Sequence, residues 1–190
     1  QVYEPFRPDL VVSDFEPFSA WWAVWHHVPL VSINNEHALT FLKIEHEPRR
    51  VIQRLQASVV TRFHCMHART YVVINFFDAP LKRDKAVLAP PIVRRIITEL
   101  TPSNEGHIAI YWTTGTQEDR LRDVLGRFPN QQFRIYGFNK RQESGNCLFL
   151  ERSTEGFLAD LASSRGVIAS AGFSLISECF HLKKKMLMLP

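Results

Sequence analysis

The sequence predicts an α/β protein of two domains, each built around a parallel sheet, and three observations carry that expectation. Short apolar runs of strand length alternate with longer helical stretches along the whole chain. Several of the runs, among them LVV, YVVI and GVIA, are apolar at consecutive positions, as strands covered on both faces are. The alternation breaks once, at Pro90-Pro91, and restarts at HIAIYW.

In order along the chain, PDLVVSD reads as a buried strand, PFSAWWAVWHH as a helix and VPLVSI as the next strand, which is a β-α-β unit. PRRVIQRLQASVVTRFHCMH predicts a long amphipathic helix with apolar positions at Val51, Ile52, Leu55, Val59 and Val60. The strand YVVINFF and the short apolar run AVLAP follow. Residues 1–92 are therefore expected as the later part of one Rossmann-like domain. Residues 93–106, with Pro, Ser, Asn and Gly around one short apolar segment, have the composition of an interdomain connection. In 107–190 the expected elements are the strand HIAIYW, the helix QEDRLRDVLGRF, the strands QFRIYGF and CLFLE, a helix in STEGFLADLASS capped by Ser153 or Thr154, the strand GVIAS, the helix GFSLISECFHLK and the strand MLML. Gln1 is no initiator, and Pro190 follows a predicted strand where an α/β chain normally goes on to a helix, so the sequence reads as incomplete at both ends.

Composition limits the function classes. With 190 residues, 45% hydrophobic and 22% charged, the chain can bury one sizeable core or two smaller ones. A net charge of +4 spread along the chain permits an anionic ligand or an acidic membrane face; no nucleic-acid motif or basic stripe is visible, and no nucleic-acid partner is expected. Cys65, Cys147 and Cys179 have neither the number for a disulfide framework nor zinc spacing, which suits a reducing cytoplasm. His64 and His67 flank Cys65, but no further ligands are in view, and no metal site is expected. The longest apolar stretches, such as AWWAVW, fall far short of the roughly 20 residues of a membrane span.

The chemistry is expected where strands run into helices. In SAGFSLISEC, Gly172 allows an anion near the backbone, the opening amides of the next helix favour negative charge, Ser174 adds a hydroxyl, and Glu178 stands one turn further on, placed to accept hydrogen bonds from two vicinal hydroxyls such as those of a ribose. A phosphate grip followed by a ribose grip suggests a nucleotide. The plain alternative is a common Ala-Gly turn before a helix whose Glu is solvated. TTGT, Thr113 to Thr116, is a second turn of the same kind.

The stretch GFLADLASSRGVIASAGFSLISECFHLKKKMLMLP resembles the donor-binding half of GT-B glycosyltransferases, especially those similar to the peptidoglycan-synthesis N-acetylglucosaminyl transferase. PDLVVSDFEPFSAWWAVWHHVPLVSINNEH is similar to the acceptor-side domain of a group of bacterial and archaeal glycosyltransferases. The resemblance implies a metal-independent transfer from a nucleotide-diphosphate sugar, UDP-linked, to a sugar or lipid-linked acceptor, with no cofactor beyond the donor. It implies that Gly172 and Phe173 meet the donor through the backbone, that Ser174 assists, that Glu178 holds the ribose, and that Gly115 and Thr116 border the phosphates. Where that group has Gly then Pro before the last strand, this chain has Lys183, Lys184 and Lys185, which read as a solvated helix end.

The acceptor's base is expected from Asp14 and Glu16, at the end of the LVVS strand, or from His37 in INNEH, whose usual pKa suits proton transfer. The structural alternatives are a helix cap at Asp14 and a turn residue at His37. Trp21, Trp22 and Trp25 belong by default to the core; the other reading is a patch at the inner face of the membrane, where a lipid-linked acceptor would be met. The rival functions are a non-catalytic nucleotide-binding or scaffold protein of the same fold, and a UDP-sugar 2-epimerase.

Overall fold

The computed structural model describes residues 6–45, 49, 51–113 and 116–189. The chain divides into two compact units, Gln1–Pro91 and Ile92–Pro190.

In the first unit β1 (Val11–Ser13), α1 (Pro17–Trp25), β2 (Leu30–Asn34), α2 (His37–Phe41), α3 (Val51–His64), β3 (Thr70–Ile74) and β4 (Ala86–Ala89) follow one another. The strands form one sheet in the order β1-β2-β3-β4, parallel throughout. Ala20, Trp22 and Ala23 of α1 pack with Leu30 and Ala68, while Phe41 and Leu42 pack with Val73 and Ala86. Of the three tryptophans it is Trp22 that is buried; Trp25 is 70% exposed. The apolar positions of the amphipathic helix α3 do not face the core: Val51, Ile52, Leu55, Val59 and Val60 are exposed, and Thr61 is the helix's buried residue.

The second unit contains α4 (Arg95–Thr98), β5 (Ile108–Tyr111), α5 (Glu118–Gly126), β6 (Phe133–Tyr136), β7 (Gln142–Ser144), β8 (Cys147–Leu150), α6 (Thr154–Ser163), β9 (Gly166–Ser170), α7 (Phe173–His181) and β10 (Lys185–Leu189). Its sheet has the order β10-β9-β5-β6-β8-β7, parallel except for the edge strand β7, which forms a hairpin with β8 across Gly145-Asn146. Both faces are covered. Leu158 and Leu161 of α6, Cys179 and Leu182 at α7, and Ile97 of α4 pack with Val167 and Ala169 on one side. Leu125 of α5 packs with Ile110, Ile135 and Phe149 on the other. These double-covered strands are the consecutive apolar runs of the sequence.

The segment 93–106, expected as a connection, is part of the second unit. Ile97 is fully buried against α7's core, Val93 and Leu100 pack beside it, and the amides of Ser103 and Glu105 donate to the carbonyls of Ala162 and Ser163 at 2.9 and 2.8 Å. An apolar triplet at near-helical spacing holds a segment whose polar composition suggested a linker.

The lysine run also has a definite structure. Lys183 takes the left-handed conformation, φ 54°, that a glycine would otherwise supply. Its amide donates to the Phe180 carbonyl at 3.1 Å and that of Lys184 to Cys179 at 2.8 Å, a Schellman closure of α7. Lys184 is not solvated: its ammonium donates to the carbonyls of Ser103 and Ser164 at 2.5 and 2.7 Å. Burial lowers its pKa.

Candidate functional site

In the second unit the chain leaves β5 through α5 towards β6 on one side, and leaves β9 through α7 towards β10 on the other. β5 and β9 are neighbours, so the direction of winding reverses between their carboxyl ends, which is where an open parallel sheet leaves a crevice. The hydroxyls of Thr113, just past β5, and Ser170, the last residue of β9, share a hydrogen bond of 3.1 Å across it. Thr113 opens the TTGT turn expected from the sequence, whereas no site role is expected there for Ser170. The signal for both was their place at the end of a strand.

From this crevice α7 rises. Gly172 is its N-cap and offers no side-chain acceptor to the opening amides. A Cβ at Gly172 would meet nothing within 4 Å, so the glycine faces open space, and its φ of −80° makes no demand for glycine. Ser174 is exposed in the first turn. Glu178 is one turn deeper and only 3% exposed. A buried carboxylate needs a partner, and Arg94 supplies it: its Nε donates to Glu178 Oε1 at 2.6 Å, with the Arg94 side chain half exposed. Among the described residues no hydrogen bond is made to Oε2. Glu178 is therefore not the solvated residue of the plain alternative. Arg94 lies 84 positions away in sequence, inside the segment read as a linker, and nothing local points to the pair.

Of the second turn, Gly115 lies outside the described residues. The Thr116 carbonyl accepts from the Trp112 indole at 2.9 Å, tying the loop back to the strand end. Next to it Gly137, φ 123°, passes so close to Trp112 that a Cβ would lie 1.8 Å from its carbonyl oxygen; only glycine fits there.

In the first unit the carboxylates after β1 part company. Glu16, not Asp14, caps α1: its two oxygens accept from the amides of Phe18 and Ser19, both at 2.7 Å. Hydrogen bonding to Ser19 holds its pKa below the usual carboxylate value. A carboxylate whose charged form is held by two amides is a weaker base. Asp14 is exposed at the carboxyl end of β1, with Oδ1 accepting from Asn34 Nδ2 at 3.0 Å at the end of β2.

His37 is fully buried, which the reading of it as a near-neutral base did not foresee. Its Nε2 meets Ser32 Oγ at 2.7 Å, its ring lies against Phe41 and Tyr71, and Nδ1 has no partner. Burial pushes its pKa down to about 4. Among the described residues no group of three or more His, Cys, Asp and Glu side chains is assembled as a metal site, and no helix is long and apolar enough to cross a membrane.

The profile of Glycosyl transferase family 1 matches residues 1–190. Among solved structures, the glycotransferase of kitacinnamycin superimposes with a TM-score of 0.61 at 16% identity, over 99% of this chain and 59% of that one. SnogD, a glycosyltransferase from Streptomyces nogalater, superimposes with a TM-score of 0.52 at 14% identity, over 100% of this chain and 56% of its own. The chain thus spans somewhat under three fifths of these structures, which share its fold. Curated proteins give no significant match. With the family profile running the whole length of a chain that has two parallel α/β units, the protein belongs to glycosyl transferase family 1.

Proposed function

We propose that the chain carries the donor site of an enzyme that transfers a sugar from a nucleotide diphosphate, UDP by the resemblance, to an acceptor hydroxyl. One observation supports this most: the crevice between β5 and β9 combines the hydroxyls of Thr113 and Ser170, an uncapped helix start at Gly172 facing open space, and, one turn on, the buried carboxylate of Glu178 held by Arg94. In this reading the diphosphate meets the backbone at Gly172 and Phe173 with help from Ser174, Thr116 borders it, and Glu178 Oε2 accepts from the ribose hydroxyls. Arg94 is a positioning residue that fixes the carboxylate. The developing charge on the leaving diphosphate is met by the start of α7.

Among the three base candidates Asp14 fits best, being exposed at a strand end with Asn34 orienting it, whereas Glu16 serves as a cap and His37 is enclosed. Contact with a membrane face, where a lipid-linked acceptor would be met, is part of the same proposal. Its support is α3, which turns Val51, Leu55, Val59 and Phe63 outward and contains no acidic residue.

Titration calorimetry of the chain with UDP, ADP and GDP tests the donor site. UDP-selective binding is expected, about tenfold or more weaker in Glu178→Ala, with circular dichroism confirming that the variant is folded. Equal affinity for the three nucleotides, or UDP binding indifferent to Glu178, would reject the reading.

A further inference from the structure

The first unit has a pocket of about 290 Å³ that the transfer reading does not use. It opens beside the amino ends of β3 and β4, whereas Asp14 stands at the carboxyl end of its strand. Arg62, from the last turn of α3, and Arg83 and Lys85, from the approach to β4, bring three cations to it. The described structure gives none of the three a salt bridge. Among the described residues no carboxylate lines it.

The inner wall is polar and unsatisfied. His37, fully buried, lines the pocket with Nδ1 lacking a partner, and so does Thr40, whose buried Oγ1 also lacks one. Unpartnered polar atoms in an otherwise packed interior are rare, because each loses its water without a replacement bond. When the Ser32 hydroxyl donates to Nε2, the one proton of the neutral ring sits on Nδ1 and points to a missing acceptor. Tyr71 completes the wall as an aromatic surface; Arg62 and Arg83 are close enough to its hydroxyl to pull its pKa down against the larger, opposite effect of burial.

We propose that this pocket binds a phosphomonoester, its dianionic phosphate between Arg62, Arg83 and Lys85 and its inner oxygen reached by His37 and Thr40. Three cations to which the described residues give no salt-bridge partner call for a ligand with more than one negative charge, and arginine forks match phosphate oxygens. The volume exceeds that of a phosphate ion and leaves space against Tyr71 for the ester's organic part. The proposal is independent of the transfer reading: it concerns different residues and an anion other than the donor.

The test uses the whole chain, with inorganic phosphate as the soluble probe and phosphatidic acid in phosphatidylcholine vesicles as the lipid one. Inorganic phosphate is expected to shift the His37 imidazole resonances of histidine-labelled protein. Arg83→Gln combined with Lys85→Gln, both at exposed positions, is expected to weaken binding at least tenfold. Loss in the soluble arm assigns a free phosphomonoester; loss confined to the vesicle arm assigns a lipid headgroup. Phosphate binding that leaves the His37 ring unmoved, or affinity in both arms unchanged by the double substitution, overturns the proposal.

Discussion

At the scale of single residues, the positions that matter most are those where a local rule is broken and the surroundings explain how. Lys183 stands where α7 needs a left-handed residue, and a lysine there carries the backbone strain that glycine avoids. The Schellman bonds to Phe180 and Cys179 keep it in place. Since the Lys183 side chain is exposed, Lys183→Gly removes strain without removing a contact on which the core depends. Chemical denaturation is expected to show a gain of about 0.5–1 kcal/mol, with glycine's greater freedom in the unfolded chain offsetting part of the relief. Lys184→Gly, by contrast, would lose the bonds to Ser103 and Ser164 and should destabilise. A lysine run read as one solvated feature thus holds two residues with opposite responses.

Elements were legible in the sequence wherever one local pattern decided them. The runs YVVI, IAIY and GVIA are strands as expected, and Ser153 caps α6 as its position suggested, accepting from the Gly156 amide at 3.0 Å; VVS is a strand too, but as the edge of its sheet it leaves Val12 58% exposed rather than buried as its apolar run suggested. The short helices α2 and α4 and the edge strand β7 were not foreseen, being too short to establish a period. Of the site, the Gly172 turn and the place of Glu178 one turn further on follow from spacing; the burial of Glu178, its partner Arg94 and the Thr113–Ser170 bond are tertiary facts that no spacing reveals. In α3 the period was legible and the side to which its apolar stripe turns was not. Its amphipathic stripe exists but faces outward, joined by Phe63, whose ring lies 5.1 Å from that of Trp21. If this stripe meets a membrane, sedimentation with anionic vesicles should recover the protein, and Leu55→Glu with Val59→Glu should reduce that recovery at least tenfold while leaving the fold intact, since both side chains are exposed. Recovery unchanged by the two charges would remove α3 from the membrane proposal.

For the molecule as a whole, the buried histidine of the first unit couples folding to pH. His37 is enclosed by Phe41, Tyr71 and Ser32, and burial lowers its pKa from the usual 6.5 to about 4; Asp14 opposes this only in part. In the unfolded chain the ring takes its proton near 6.5, so between that value and 4 the unfolded state binds more protons than the folded one. The stability this ring contributes is therefore complete above pH 6.5, declines as acid is added, and levels off below pH 4, a span of about 3 kcal/mol at 1.36 kcal/mol per unit. His107, also buried with Nδ1 unpartnered and its pKa lowered by burial, adds a decline of the same sign in the second unit. The depressed Glu16 contributes only at lower pH, since its cap is lost as that carboxylate protonates below its ordinary 4.5. Urea denaturation of the wild type from pH 7.5 to 4 should show the loss, and His37→Asn should flatten it in this window even where the variant is less stable at pH 7.5. A slope identical in the two proteins would mean that His37 takes its proton as readily folded as unfolded, and with it the enclosed, neutral imidazole on which the phosphate pocket relies would fall.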